Sequence, residues 1–79
     1  MENKIREIVA EIVGENENEI KTIGIEDSLI ELGVDSMNSI EIVVELEETF
    51  GISIDVEELT IDSIGSIKGL MELVEASAE

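Results

Sequence analysis

The stretch Asp27-Ser28-Leu29-Ile30-Glu31-Leu32-Gly33-Val34-Asp35-Ser36-Met37 joins a long polar connection to a helical segment, and its reading organises the rest of the chain. Gly33 followed by Val34-Asp35-Ser36 reads as a helix start, with Asp35 or Ser36 able to act as N-cap. Behind it, the residues from about Ser36 to Phe50 predict a helix. Met37, Ile40, Val43, Val44, Leu46 and Phe50 are apolar, and Glu41, Glu45, Glu47 and Glu48 are acidic. Gly51 is the natural residue to end it.

Working outward, Ile5, Ile8, Val9, Ile12 and Val13 form the stripe of an amphipathic first helix, ended by Gly14 and an alternating Glu/Asn run. A long connection from about Gly14 to Asp35 carries apolar anchors at Ile20, Ile23, Ile25, Leu29, Ile30 and Leu32, which predicts that it packs over the core. On the other side, Ile52-Ser53-Ile54-Asp55-Val56 alternates but has no partner strand, so it reads as an extended linker. Asp55-x-x-Glu58 resembles a capping box for one short turn through Leu59. Ser66 can cap a last helix carrying Ile67, Leu70, Met71 and Val74, fraying from Ala76. One-sided stripes bury their faces only against one another, so the expected fold is all-α: a bundle of three main helices and one short one, a single domain over residues 1–79.

Composition narrows the function. Twenty-one Asp and Glu against four Lys and Arg give a formal net charge of −17, which argues against nucleic acid and anionic membrane as partners and favours basic protein surfaces. The chain has no Cys, hence no disulfide, thiolate metal site or cysteine nucleophile. It has no His, so no Ser-His-Asp arrangement exists and the commonest zinc ligand is missing. No catalytic residue and no metal site are expected. There is no Trp or Tyr for base stacking. Absence of a signal-peptide stretch or an apolar run of membrane-spanning length leads to the expectation of a cytoplasmic protein, and the missing His and Cys to that of one that is not itself an enzyme. A monomer is expected, free-standing because the chain starts at Met1 and holds this one domain, with a domain excised from a larger synthase as the alternative.

Leu32-Gly33-Val34-Asp35-Ser36-Met37 resembles the attachment motif of acyl and peptidyl carrier proteins, usually Leu-Gly-x-Asp-Ser-Leu. The resemblance covers nearly the whole chain, since length, acidity and the order of helices also match. It implies an acyl-carrier-like four-helix bundle in which Ser36 receives a covalent 4′-phosphopantetheine arm from coenzyme A. The arm is attached by a phosphopantetheinyl transferase and carries acyl or aminoacyl cargo as a thioester. At a helix N-terminus, backbone N–H groups near Ser36 can favour the attached phosphate. Asp35 adds like charge there, so its benefit lies elsewhere; the resemblance implies transferase recognition and metal binding. It further implies that the second helix docks loading and synthase enzymes through their basic patches, with Asp35, Met37, Glu41, Val44, Glu47 and Glu48 as the contact residues. Ile40, Val43, Leu46 and Phe50 include the inward set, and Ile54 is either core or the lip of a cargo groove.

Met37 in place of Leu, Asn38 where fatty-acid carriers often have Asp, and Val44 where many have Met leave the pathway open among fatty-acid, polyketide, peptide and D-alanyl carriers. Ser28 in the long loop and Ser39 inside the second helix read as structural. The rival account is an unmodified acidic interaction module for basic protein surfaces, in which Ser36 is only an N-cap. A calcium-binding reading lacks the Asp-x-Asp-x-Asp-Gly loop it needs.

Overall fold

The computed structural model describes residues 1–55 and 59–77, and among them every regular element is helical. α1 spans Glu2–Val13, α2 Glu17–Thr22, α3 Ser36–Phe50, α4 Ile61–Ile64 and α5 Ile67–Ser77, with a 3₁₀ turn at Ile30–Leu32. α1 lies at the centre of the arrangement, touching α2, α3 and α5, while α4 packs on α5. The expected three long helices are α1, α3 and α5. The core is aliphatic: Ile5, Ile8 and Val9 from α1, Ile42, Val43 and Leu46 from α3, and Ile67, Leu70, Leu73 and Val74 from α5 close around Ile20 and Leu29.

The long connection is more structured than the sequence predicts. Its Glu/Asn run opens α2 instead of merely ending α1. Asn16, in the left-handed conformation at φ 55°, stands at the N-cap. Six residues are too short to show a repeating stripe. A single anchor, Ile20, is fully buried, and Lys21 Nζ donates to Glu17 Oε1 at 2.9 Å one turn away. Arg6 is buried beneath this helix: its Nη1 donates to the Ile20 carbonyl at 3.1 Å and its Nε to Glu2 Oε2 at 2.9 Å, tying α1 to α2. Farther on, Leu29 N donates to Gly65 O at 2.7 Å and Lys68 N to Ile25 O at 2.8 Å. The connection is therefore fastened to α5 at its far end, as its apolar anchors led one to expect.

α3 needs a correction of face. Ile42, absent from the apolar set read from the sequence, is fully buried, and Ser39, Val43 and Leu46 share its side. Ile40, assigned inward, is 60% exposed, on the same flank as Met37 at 75% and Val44 at 45%. The helical period explains this. Positions 39, 42, 43 and 46 form one stripe and positions 37, 40, 41 and 44 the opposite one. Both stripes are apolar-rich, so composition alone does not say which is buried.

Ile54 is core. Residues 52–55 form neither helix nor strand, as the linker reading expects. The short turn expected over Asp55–Leu59 falls largely at residues 56–58, outside the described residues, as does Val56 of the linker. The short helix that is described comes later, as α4. Ser66 Oγ accepts from Gly69 N at 3.1 Å, the capping bond expected of it, and α5 continues through Ser77.

Candidate functional site

Ser36 is the first residue of α3, and the residues around it divide the labour of holding it there. Asp35 is the N-cap. Its backbone is extended, and its Oδ1 accepts from Met37 N at 3.0 Å and Asn38 N at 2.9 Å, while its carbonyl accepts from Ser39 N at 2.9 Å. The choice between Asp35 and Ser36 as cap is thereby decided, and the unexplained benefit of an acid beside the serine has a cause. A carboxylate at the positive end of a helix satisfies donors that otherwise lack partners. The same bonds narrow one expectation. The amides of Met37 and Asn38 are engaged by Asp35, so they are not open to receive a phosphate on Ser36. Ser36 itself is exposed, with its hydroxyl released from capping duty.

The preceding loop is tightly determined. Val34 is buried, and Leu29 O accepts from both Leu32 N at 3.0 Å and Val34 N at 3.2 Å. Gly33 has φ 112°, and a Cβ there would lie 2.9 Å from Glu15 Oε1 and 3.0 Å from Val13 Cγ1. The backbone conformation calls for glycine, and Val13 at the end of α1 leaves little room for a side chain. Asn16 Nδ2 donates to Leu32 O at 3.0 Å and Asn38 Nδ2 to Gly33 O at 2.9 Å. Neither amide stood out from the sequence except that Asn38 departs from an Asp-containing pattern. Ser39, buried, donates from Oγ to Ser36 O at 2.9 Å.

A cavity of about 290 Å³ opens beside the serine, lined by Ile30, Val34, Asp35, Ser36 and Ile64. A second, of about 310 Å³, lies on the other flank of α3 between Ile12, Ile40, Val44, Glu41 and Glu45. Met37, Glu41, Val44 and Glu48 are exposed along α3. Glu47 stands apart from them. It is half-buried, and its Oε2 accepts from Ile54 N at 2.7 Å while its carbonyl accepts from Ile52 N at 3.1 Å. Its side chain holds the chain leaving α3. None of the four basic residues lies on α3, and Arg6, Lys21 and Lys68 are each paired with a glutamate. Among the described residues no group of His, Cys, Asp or Glu is arranged to hold a metal ion.

The sequence matches the family model described as phosphopantetheine attachment site over residues 3–74. This chain belongs to the phosphopantetheine-attachment family. It is thus a carrier protein of the kind that bears a covalent 4′-phosphopantetheine group on a serine, and such carrier domains are generally non-catalytic. The family works with a phosphopantetheinyl transferase and with synthase enzymes. The fold is similar to a chain of the solved structure "The ishigamide ketosynthase/chain length factor", at 26% identity and a TM-score of 0.71, covering 98% of this chain and 92% of that one. No helix among the described residues is long and apolar enough to cross a membrane.

Proposed function

We propose that Ser36 is the attachment point and that the chain carries apolar acyl cargo between enzymes that dock on α3. One observation supports the site above the others. Asp35 performs the capping that a structural serine would perform, which leaves the Ser36 hydroxyl exposed at the helix start. The residues suit the group: an accessible nucleophilic hydroxyl, a fixed loop behind it and an apolar recess at its side. Bound there, the arm supplies a terminal thiol that holds the cargo as a thioester.

Ile30, Val34 and Ile64 favour an aliphatic segment over a charged aminoacyl group, because an ammonium placed among them would lose hydration. The likeness to a chain of a ketosynthase/chain length factor structure supports a chain-extending enzyme among the partners. Partners meet Met37, Ile40 and Val44 framed by Glu41 and Glu48, an apolar strip with acidic borders and no cation on its helix. Such a surface suits basic patches that bind briefly, since exposed charge raises association rate more than affinity. Asp35 and Glu47 are engaged in holding the ends of α3, so docking falls chiefly to the other four contact residues of the motif helix and to Ile40.

Intact mass after incubation with coenzyme A and a broad-specificity phosphopantetheinyl transferase tests the reading. Wild type should gain one phosphopantetheine and Ser36→Ala none. Equal gain in both proteins would move the site elsewhere, and no gain in either would favour an unmodified acidic interaction module.

A further inference from the structure

The carbonyls of Leu32 and Gly33 are consecutive in the loop that delivers Ser36, and each receives a side-chain amide from a different helix. Asn16 Nδ2 reaches Leu32 O at 3.0 Å from the start of α2, and Asn38 Nδ2 reaches Gly33 O at 2.9 Å from the first turn of α3. From these bonds we infer that Asn16 and Asn38 form a two-amide clamp that sets the position of Ser36 and so governs how fast the serine is modified. Both are positioning residues acting through the loop. The inference rests on Ser36 being the attachment point.

The backbone bonds of the loop leave such a clamp a part to play. Gly33 at φ 112° has no Cβ to hold it by packing, and a glycine peptide has more conformations open to it than any other. Asp35 fixes the helix side of the serine by taking the Met37 and Asn38 amides through Oδ1. That cap does not reach the peptides between Leu32 and Val34, whose N–H groups bond to Ile30 O at 3.3 Å and Leu29 O at 3.2 Å and whose carbonyls the two amides hold. The donors are specific in kind. A carboxylate at position 38 presents only acceptors at neutral pH, facing a carbonyl oxygen, so Asp cannot replace Asn in this contact. Asn16 sits in the left-handed region at φ 55°, which Asn tolerates well among residues with a side chain. The same residue thus starts α2 and reaches back to the serine loop.

Position matters because the modifying enzyme must bring one hydroxyl in line with a phosphorus atom. A misplacement of about 1 Å in such a step can cost on the order of 100-fold in rate. Docking on α3 does not depend on the loop. Loosening the clamp therefore lowers kcat and leaves the KM for the carrier nearly unchanged.

The test uses Asn38→Ala and Asn16→Gly, singly and together, with Asn38→Asp as a charge control; Gly keeps the φ 55° backbone of position 16 accessible. Transferase kinetics are read beside amide hydrogen exchange at Gly33 and Val34. Each single variant should lose about tenfold in kcat with little change in KM. Exchange at both amides should rise, equally for Asn38→Ala and Asn38→Asp, because neither side chain donates. Wild-type kcat in all variants, or a loss confined to KM, would overturn the clamp. So would a loss in Asn38→Asp alone, which would make charge the cause. Failure of wild type to be modified at all would instead remove the attachment reading, and the clamp's role with it.

Discussion

α1 and α3 are both amphipathic and acidic, yet they spend their apolar residues differently. On α1, Ile5, Ile8, Val9 and Ala10 are buried and Ile12 and Val13 are half-buried, with no strongly exposed aliphatic residue. On α3, Ile42, Val43 and Leu46 complete the core, while Met37, Ile40 and Val44 point away from it. One apolar stripe satisfies the fold, and the second is surplus to folding. Scattered exposed aliphatics need no explanation, but a row of three within two turns, beginning beside the motif serine, is what the proposed docking surface requires. The contrast sets a helix whose apolar residues are used by the core beside one that keeps a second apolar row in solvent.

The largest expected effect lies across α3 itself. Ile42→Ala removes a fully buried side chain and should cost about 2–5 kcal/mol, enough to leave so small a domain largely unfolded on warming. Ile40→Ala, two positions away, should change stability by less than about 0.5 kcal/mol. Similar melting losses for the two would erase the distinction between the stripes.

At the start of α3 the contrast narrows to neighbours. Asp35→Ala removes the acceptor of two amide bonds and should cost about 1 kcal/mol, a fall in melting temperature of roughly 4–8 °C. Ser36→Ala should melt with the wild type. A loss of stability in Ser36→Ala as great as in Asp35→Ala would return the serine to a structural role.

The smallest stability change, and the most selective functional one, belongs to the acidic border. Glu41→Lys and Glu48→Lys should leave melting within about 0.5 kcal/mol. At low salt they should lower kcat/KM for transferase loading by about tenfold, and the deficit should shrink as salt screens the wild-type attraction. Charge reversal at Glu75, exposed near the end of α5, serves as the comparison and should leave loading unchanged.

How much of this was legible in the sequence follows from the same contrast. The three long helices were readable because each repeats its apolar residues over three or more turns. α2 was not, since its six residues offer one buried anchor and a polar run indistinguishable from a loop. The faces of α3 were misjudged because both stripes are aliphatic and only packing against α1 chooses between them. At the site, the motif was sufficient to make Ser36 the candidate. It could not separate two adjacent capping candidates, a choice settled by the extended backbone of Asp35. The bond from Ile54 N to Glu47 was not legible, because Glu47 looks like any helix glutamate until the linker folds back to meet it. The Asn38 amide reaches a carbonyl five residues back and looks like any helix amide, while Asn16 reaches the adjacent carbonyl from sixteen residues away, a contact no local pattern announces.

The central claim is that the hydroxyl freed by Asp35 is the one modified, and fragmentation mass spectrometry of the loaded wild-type protein tests it most directly. The account predicts the phosphopantetheine mass on Ser36, with Ser28 and the buried Ser39 unmodified. Label on Ser28 or Ser39, or a loaded protein in which Ser36 stays bare, would contradict it.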